Sequence, residues 1–381
     1  MTGALAGLRV LDISNCIAGQ VCGRMLADYG AAVTLVEPPA GSPLRRTAPF
    51  HPDGSSLRFF HLNTGKGAIT LDHATPSGQV LLAALAQESD VIIASPGLDR
   101  AGLRAANPRL VTSLASDFGE DGPLRHWRGT EMIHQALSGS AHRNGTHGEL
   151  PLYGAADRAA YAAGVGLYIA VLAALYARED SGHGQDVAVD VAQTTSSMTN
   201  PFMTQFHYSG LVEPRGERRL PLIRVLCRDG WLGIWVHLHR WRVICAAFGL
   251  PDLADDPRFA DPATRLDNWP ALNAILQEVA TRQSADDLLG RLLRARAVAA
   301  RAYRLTELWN DCAHLGERGY WEQVETGLGP RPMLGPQFRM SATPRQVSGG
   351  PPALGEANDQ VYQALGLTAS ERSALRHAGV I

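Results

Sequence analysis

The residues able to do chemistry are few and scattered. Five cysteines, Cys16, Cys22, Cys227, Cys245 and Cys312, form no C-x-x-C pair and are too sparse in 381 residues for a disulfide framework. The 13 histidines show no zinc spacing. His237 and His239, two apart, share a face of a strand, but no third ligand is near in sequence, so no metal site is expected. Lys and Arg total 35 against 37 Asp and Glu, a formal net charge of −2. That balance argues against a general nucleic-acid binder and leaves room for an anionic ligand held by a few placed cations. Among the 35 basic residues, Lys66 is the single lysine. One aspartate also stands out. Asp157 is the only carboxylate in Gly154-Ala-Ala-Asp-Arg-Ala-Ala-Tyr-Ala-Ala-Gly164, just ahead of a long apolar run. Aspartate in that place is a common helix N-cap.

The elements that position these groups read as strands alternating with helices over the first ~200 residues, the pattern of a parallel sheet covered on both faces. Leu8–Ile13, Ala32–Glu37, Ala68–Asp72, Asp90–Ala94, Arg109–Leu114 and Asp186–Val191 read as strands. Helical segments are Cys16–Tyr29, Ser77–Gln87 with its Thr75-Pro76 start, and Ala159–Arg178. The last is apolar nearly all round and is expected to be buried. After about residue 210 the character changes: six of seven tryptophans lie between Trp231 and Trp321, and Asp229-Gly230 reads as a hairpin turn. The expected architecture is α/β, with a large domain of residues 1–210 and 330–381 and a smaller inserted α+β domain at 222–325. No run of ~18 apolar residues suggests a membrane span, and the N-terminus lacks the pattern of a secretory signal, so a cytoplasmic protein is expected.

Several segments in order resemble the family III CoA transferases, the CaiB/BaiF group that includes formyl-CoA transferase, carnitine-CoA transferase and an acyl-CoA racemase. They are Leu5-Ala-Gly-Leu-Arg-Val-Leu-Asp-Ile-Ser14, Ile17-Ala-Gly, Leu26-Ala-Asp-Tyr-Gly-Ala-Ala-Val-Thr-Leu-Val-Glu-Pro38, Gly41-Ser-Pro-Leu-Arg45 and Asn63-Thr-Gly-Lys-Gly-Ala-Ile-Thr-Leu-Asp72. Phe118-Gly-Glu-Asp-Gly-Pro123, Gln135-Ala-Leu-Ser-Gly139, the Leu172–Gln185 segment and Leu354-Gly-Glu-Ala-Asn-Asp-Gln-Val-Tyr362 continue the series. The resemblance implies a Rossmann-like large domain made of both chain ends and an interlocked homodimer. It also implies transfer of CoA between an acyl-CoA and a small carboxylic acid, with CoA as substrate and no tightly bound cofactor.

In that family an aspartate carboxylate attacks the acyl-CoA thioester, and the resemblance points to Asp157 for this role. Gap-free alignment from Leu172–Gln185 instead puts the family position on Ala159 or Ala160. The alternative reading is therefore a CoA-binding member without CoA transfer, or one with redeployed acyl-transfer or lyase chemistry. A racemase would need a histidine where Thr130 stands, with His126 and His134 as neighbours. CoA contacts implied by the resemblance are Ile17, Ala18, Arg45, Lys66, Ala94, Ser95, Arg100 and Arg128. The stretch Ile92-Ile-Ala-Ser-Pro-Gly97 lacks the family's adenine-site Asn. The family's Gly-rich shielding loop has no clear counterpart at Ser209–Gly216. Trp235, His237 and His239 are candidate wall residues for an apolar acyl group.

Overall fold

The computed structural model describes residues 3–145, 148–212, 222–236, 238–326, 329–347 and 349–381. His237 and half of the Ser209–Gly216 stretch, from residue 213 on, lie outside them. The chain forms two compact units, Met1–Val212 with Tyr320–Ile381, and Glu213–Gly319.

The first unit alternates strand and helix: β1 (Arg9–Asp12), α1 (Ile17–Asp28), β2 (Ala32–Glu37), α2 (Leu57–Asn63), β3 (Gly67–Thr70), α3 (Pro76–Gln87), β4 (Val91–Ala94), α4 (Arg100–Ala106) and β5 (Val111–Ser116). Then come α5 (Glu131–Leu137), α6 (Ser140–Arg143), α7 (Arg158–Ser181), β6 (Asp186–Asp190), α8 (Val191–Ser197) and α9 (Asn200–Ser209). The six strands pair in parallel in the order β3-β2-β1-β4-β5-β6. Successive side chains alternate across the sheet. Val10, Val33, Val91 and Val111 pack under α1 and α7, while Leu11, Ile69, Ile92 and Leu114 meet α3 on the other face. This is why β4 reads as an unbroken apolar run: all four of its residues are buried.

α7 departs from the expectation of burial all round. Ala163, Gly164, Leu167, Val171 and Ala174 face the core, but Ile169 is 60% and Tyr176 79% exposed. Its inner face meets α1 and the sheet, and nothing in the described chain covers the outer one. α7 is also long and apolar enough to cross a membrane, contrary to the sequence expectation. Here it serves as a core helix whose buried Arg178 pairs with Asp90 at 3.1 Å.

The second unit is an antiparallel sheet of β7 (Leu222–Cys227), β8 (Gly230–Trp235) and β9 (Val298–Ala302). Helices α10 (Trp241–Phe248), α11 (Pro262–Asp267), α12 (Trp269–Thr281), α13 (Ala285–Arg294), α14 (Leu305–Asn310) and α15 (Ala313–Glu317) accompany it. β7 alternates strictly, burying Ile223, Val225 and Cys227 against Ile244, Phe248, Leu272 and Leu288. Asp229 in the hairpin turn accepts the Ala285 N–H at 2.6 Å and so caps α13.

The return to the first unit begins at Tyr320, with a β10 (Trp321–Val324) and β11 (Arg331–Leu334) hairpin, then α16 (Asn358–Ala364) and α17 (Ala369–His377). Residues 320–325, placed by sequence in the smaller domain, therefore join the larger. Arg345 holds them there by pairing with both Glu322 (2.6 Å) and Asp28 (2.8 Å). Farther on, Asn358 and Tyr362 bond Thr70 of β3 through its N–H, hydroxyl and carbonyl.

Candidate active site

The strand order reverses between β1 and β4, and ligands of open α/β sheets bind at the carboxyl ends of strands beside such a reversal. A cavity of about 340 Å³ opens there. Asn15–Ala18 follow β1, Ala94–Pro96 run on from the last residue of β4, and Ala115–Asp117 run past the end of β5; the 128–131 segment, His134, Asp157, Ala160 and Val191 complete the wall. Six sequence-expected residues meet here: Ile17, Ala18, Ala94, Ser95, Arg128 and Asp157.

Asp157 sits at the N-cap position of α7 but does not cap it. The cap comes from Glu131, whose carboxylate accepts the Ala159 N–H at 2.9 and 3.1 Å. Gln135 bonds Glu131 and clamps Gly154 through both its N–H and C=O. The Asp157 carboxylate is thereby left free to pair with Arg58 of α2, at 3.2 and 3.1 Å to its two oxygens. The residue before it, Ala156, is held at φ +65°, a conformation costly for any side chain. Asp157 and Ala160 are three apart, on one side of a helix, so both reach the same cavity.

Asp117 is a carboxylate the sequence reading passed over. It accepts the Gly129 N–H at 3.0 Å and lies 3.3 Å from His134 Nε2. Burial alone would raise its pKa, but His134, the Gly129 N–H and Arg128 outweigh that and hold it below the usual aspartate value. His134 is buried against Phe118, and a Cβ on Gly129 would come within 2.0 Å of its Nε2. A sequence signal existed: Asp117 directly follows a buried strand, where sheet-bound ligands collect. Arg58 gave none, because its partner is 99 residues away. Thr130 lines the cavity, whereas His126 does not and is exposed.

At the far wall Cys16 caps α1, its sulfur accepting the Gly19 N–H at 3.4 Å. Burial pushes its thiol up to about 11, so it is no thiolate at neutral pH. The first-turn N–H groups of a helix have no intrahelical acceptor and carry the positive end of its dipole. In α1 these include Ile17 and Ala18.

Three expected cations do not reach the cavity. The Lys66 side chain is fully buried, with its three donors spent on Asp12 (2.7 Å), Asn63 (3.0 Å) and the Gln20 carbonyl (3.2 Å). It neutralises a core carboxylate instead of facing a phosphate. Asp12 uses its other oxygen on the Ser14 N–H and hydroxyl, shaping the turn that leads to Asn15–Ala18. Arg45 forks onto Glu37 with two 2.7 Å bonds and stacks on Phe59. Arg100 is divided between Glu120 and Asp186, and the Glu120 bond foremost raises its pKa. Arg128 is the one arginine of the cavity wall, and it is exposed. Trp235 and His239 belong to the second unit and do not line this cavity. Among the described residues no cluster of side chains fits a metal ion.

Comparison with known proteins agrees with this layout. The chain is 30% identical to a succinyl-CoA–D-citramalate CoA-transferase of Chloroflexus aurantiacus, over 99% of this chain and 98% of that one. It is 29% identical to a formyl-CoA:oxalate CoA-transferase of Streptomyces avermitilis over the full length of both. A crystal structure of a CaiB/BaiF family protein from Brucella suis superposes with a TM-score of 0.87 at 27% identity, covering 96% of this chain and all of that one. Residues 5–358 match the profile of CoA-transferase family III. With the match spanning both segments of the first unit and all of the second, the chain belongs to CoA-transferase family III and is an enzyme of that family.

Proposed function

We propose that the protein moves CoA from an acyl-CoA to a small carboxylic acid through a covalent intermediate on Asp157. The carrying observation is that this carboxylate lines the cavity at the sheet's reversal while Glu131 relieves it of capping α7. An Asp157 oxygen attacks the thioester carbonyl; the new C–O bond forms as the C–S bond breaks, leaving a mixed anhydride and CoA thiolate. The thiolate then attacks the aspartyl carbonyl, releasing the first acid and leaving an aspartyl thioester. The acceptor carboxylate repeats the sequence in reverse and restores Asp157. Each tetrahedral oxyanion needs preorganised donors, and the Ile17 and Ala18 N–H groups at the start of α1 suit that role. Arg58 orients the carboxylate and, once it is acylated, faces the thiolate.

CoA would lie along Ile17, Ala18, Ala94 and Ser95, with Arg128 toward its phosphates. Lys66 acts on this site as a support, through Asp12 and the turn it shapes at Ser14, while Arg45 and Arg100 are spent on Glu37 and Asp186 outside the cavity wall. CoA is substrate, and no other cofactor is invoked. The exposed apolar residues Ile169, Tyr176, Phe206 and Tyr208 support a homodimer, interlocked as in the family resemblance; the cytoplasm is the compartment proposed for it. Light scattering should then give twice the mass of the chain.

The test of the chemistry is incubation with an acyl-CoA and hydroxylamine, followed by peptide mass mapping. A hydroxamate at Asp157, and loss of CoA exchange in Asp157→Ala with CoA binding retained, are expected. A hydroxamate at Asp117 or Glu131 would refute the assignment. CoA binding with no exchange over a broad acid panel would favour the alternative in which Ala159 or Ala160 marks a lost nucleophile.

A further inference from the structure

Arg58 meets Asp157 with a single nitrogen. Its Nη1 lies 3.2 Å from one carboxylate oxygen and 3.1 Å from the other. Nε is spent on the Ala48 carbonyl at 3.2 Å. Nη2 makes no hydrogen bond among the described residues and is not sealed from solvent; the side chain is 30% exposed. The stem is held in place, because Ser56, which caps α2, also bonds the Thr47 carbonyl at 2.6 Å. A guanidinium grips a carboxylate best with two parallel N–H groups. This pair uses one, so the outer edge of the fork is open to a second carboxylate.

The covalent route moves a negative charge and no proton. At rest the charge sits on Asp157, beside Arg58. Attack on the thioester joins one Asp157 oxygen to the acyl carbon. The CoA thiolate then attacks the aspartyl carbon, the bond from that carbon to the bridging oxygen breaks, and its electron pair leaves with the acid. The departing carboxylate therefore takes with it an oxygen that had been Asp157's own. Both Asp157 oxygens are in contact with Nη1, so whichever one attacked, the new carboxylate forms within reach of Arg58. Asp157 is then a neutral thioester, and its former partner cation is free.

We propose, resting on the covalent route through Asp157, that Arg58 exchanges partners in each half-reaction and is the residue that binds the free acid. It pairs with Asp157 at rest, and with the carboxylate of the leaving or entering acid while CoA occupies Asp157. The acid is thus taken in its ionised form, by its carboxylate head. The resting enzyme, with Arg58 engaged and Asp157 charged, binds it poorly.

The test has a binding arm and a kinetic arm, both on the full chain. Asp157→Asn is isosteric and uncharged, as the aspartyl thioester is. Acetate at constant ionic strength, with chloride as a separate arm, should raise its Tm saturably and at least about tenfold more tightly than it acts on the wild type. Asp157→Asn/Arg58→Met should lose the effect. Should that chain fail to fold, Arg58→Lys in its place keeps the charge without the fork and should weaken acetate about tenfold. In the kinetic arm, with the acyl-CoA and acid most active in exchange, Arg58→Met should lower kcat/KM for the acid at least about tenfold more than kcat/KM for the acyl-CoA. Arg58 supports Asp157 before and during attack on the thioester, but only the acid gains a new partner in it. The proposal is overturned by no acetate effect on Asp157→Asn, an equal effect of chloride, equal acetate affinity in the wild type, an effect kept without Arg58, or equal falls in the two kinetic ratios. A hydroxamate at another residue refutes the Asp157 route instead, and the acetate arm then decides on Arg58 by itself.

Discussion

Replacing Lys66 by methionine separates a structural lysine from a phosphate-binding one. The ammonium and its partner Asp12 both have fully buried side chains 2.7 Å apart. Methionine fills much of the same volume and strands the carboxylate. Breaking a buried pair from one side costs about 3–5 kcal/mol. The stranded acid can escape by taking a proton, which at pH 7 costs about 4.2 kcal/mol for an ordinary aspartate, at ~1.36 kcal/mol for each unit above ~3.9. At pH 5 the same protonation costs about 1.5 kcal/mol, so the variant's deficit should shrink by about 2.7 kcal/mol between pH 7 and pH 5. The sign follows from proton linkage. A carboxylate whose folded-state pKa is raised binds more protons folded than unfolded, so its stability is full below ~3.9 and is lost as pH rises toward the folded value. Urea midpoints of wild type, Lys66→Met and the double variant Asp12→Asn/Lys66→Met at both pH values measure this. The double variant removes both charges and should recover most of the loss. A deficit below ~1 kcal/mol at pH 7, or one equal at both pH values, would refute the buried pair and return Lys66 to the surface.

Three further outcomes are expected. Gly164→Ala would set a Cβ 2.7 Å from the Ala18 carbonyl and 2.6 Å from Val21 Cβ, both on α1, so the helices must part. It should cost about 1–3 kcal/mol in denaturant unfolding and lower CoA exchange, because Ile17 and Ala18 move with α1. Glu131→Ala should cost about 1 kcal/mol by uncapping α7 and reduce the exchange rate more than the KM, whereas Glu131→Gln should retain much of both. Asp117 is held below the usual aspartate value, so its contribution is present above ~3.9 and is lost as pH falls below it. His134→Gln should shift that acid-side loss to higher pH in circular-dichroism titrations.

The sheet was largely legible from sequence because its signals are local. Val91–Ala94 is a short apolar run, Pro76 begins α3, and the β7 alternation is strict. The pocket residues Ile17, Ala18, Ala94 and Ser95 came instead from the family resemblance, and they line the cavity at the start of α1 and the end of β4. What escaped was pairwise. Nothing within a window of sequence says that Lys66 will meet Asp12, 54 residues earlier, or that Arg58 will meet Asp157, 99 residues later. The rarity of lysine marked Lys66 as special without telling which charge it answers. The outer face of α7 was misread for a related reason: apolar composition says that a surface wants covering, not what covers it.

The clasp of Asn358 and Tyr362 on Thr70, across 288 and 292 residues, also bears on how the protein is made. The six strands are complete once residue 190 is synthesised, but the sheet face carrying Ile69 and Ile92, under Leu81 and Leu85 of α3, also packs against Tyr362. Between them comes the 213–319 unit, whose own core is contained within it. On a ribosome the inserted unit therefore has a complete core first, while the larger one waits with an apolar face open. Domains generally fold as units during synthesis, the N-terminal one first. Here that order is inverted by topology, and the waiting sheet is the surface a chaperone would hold.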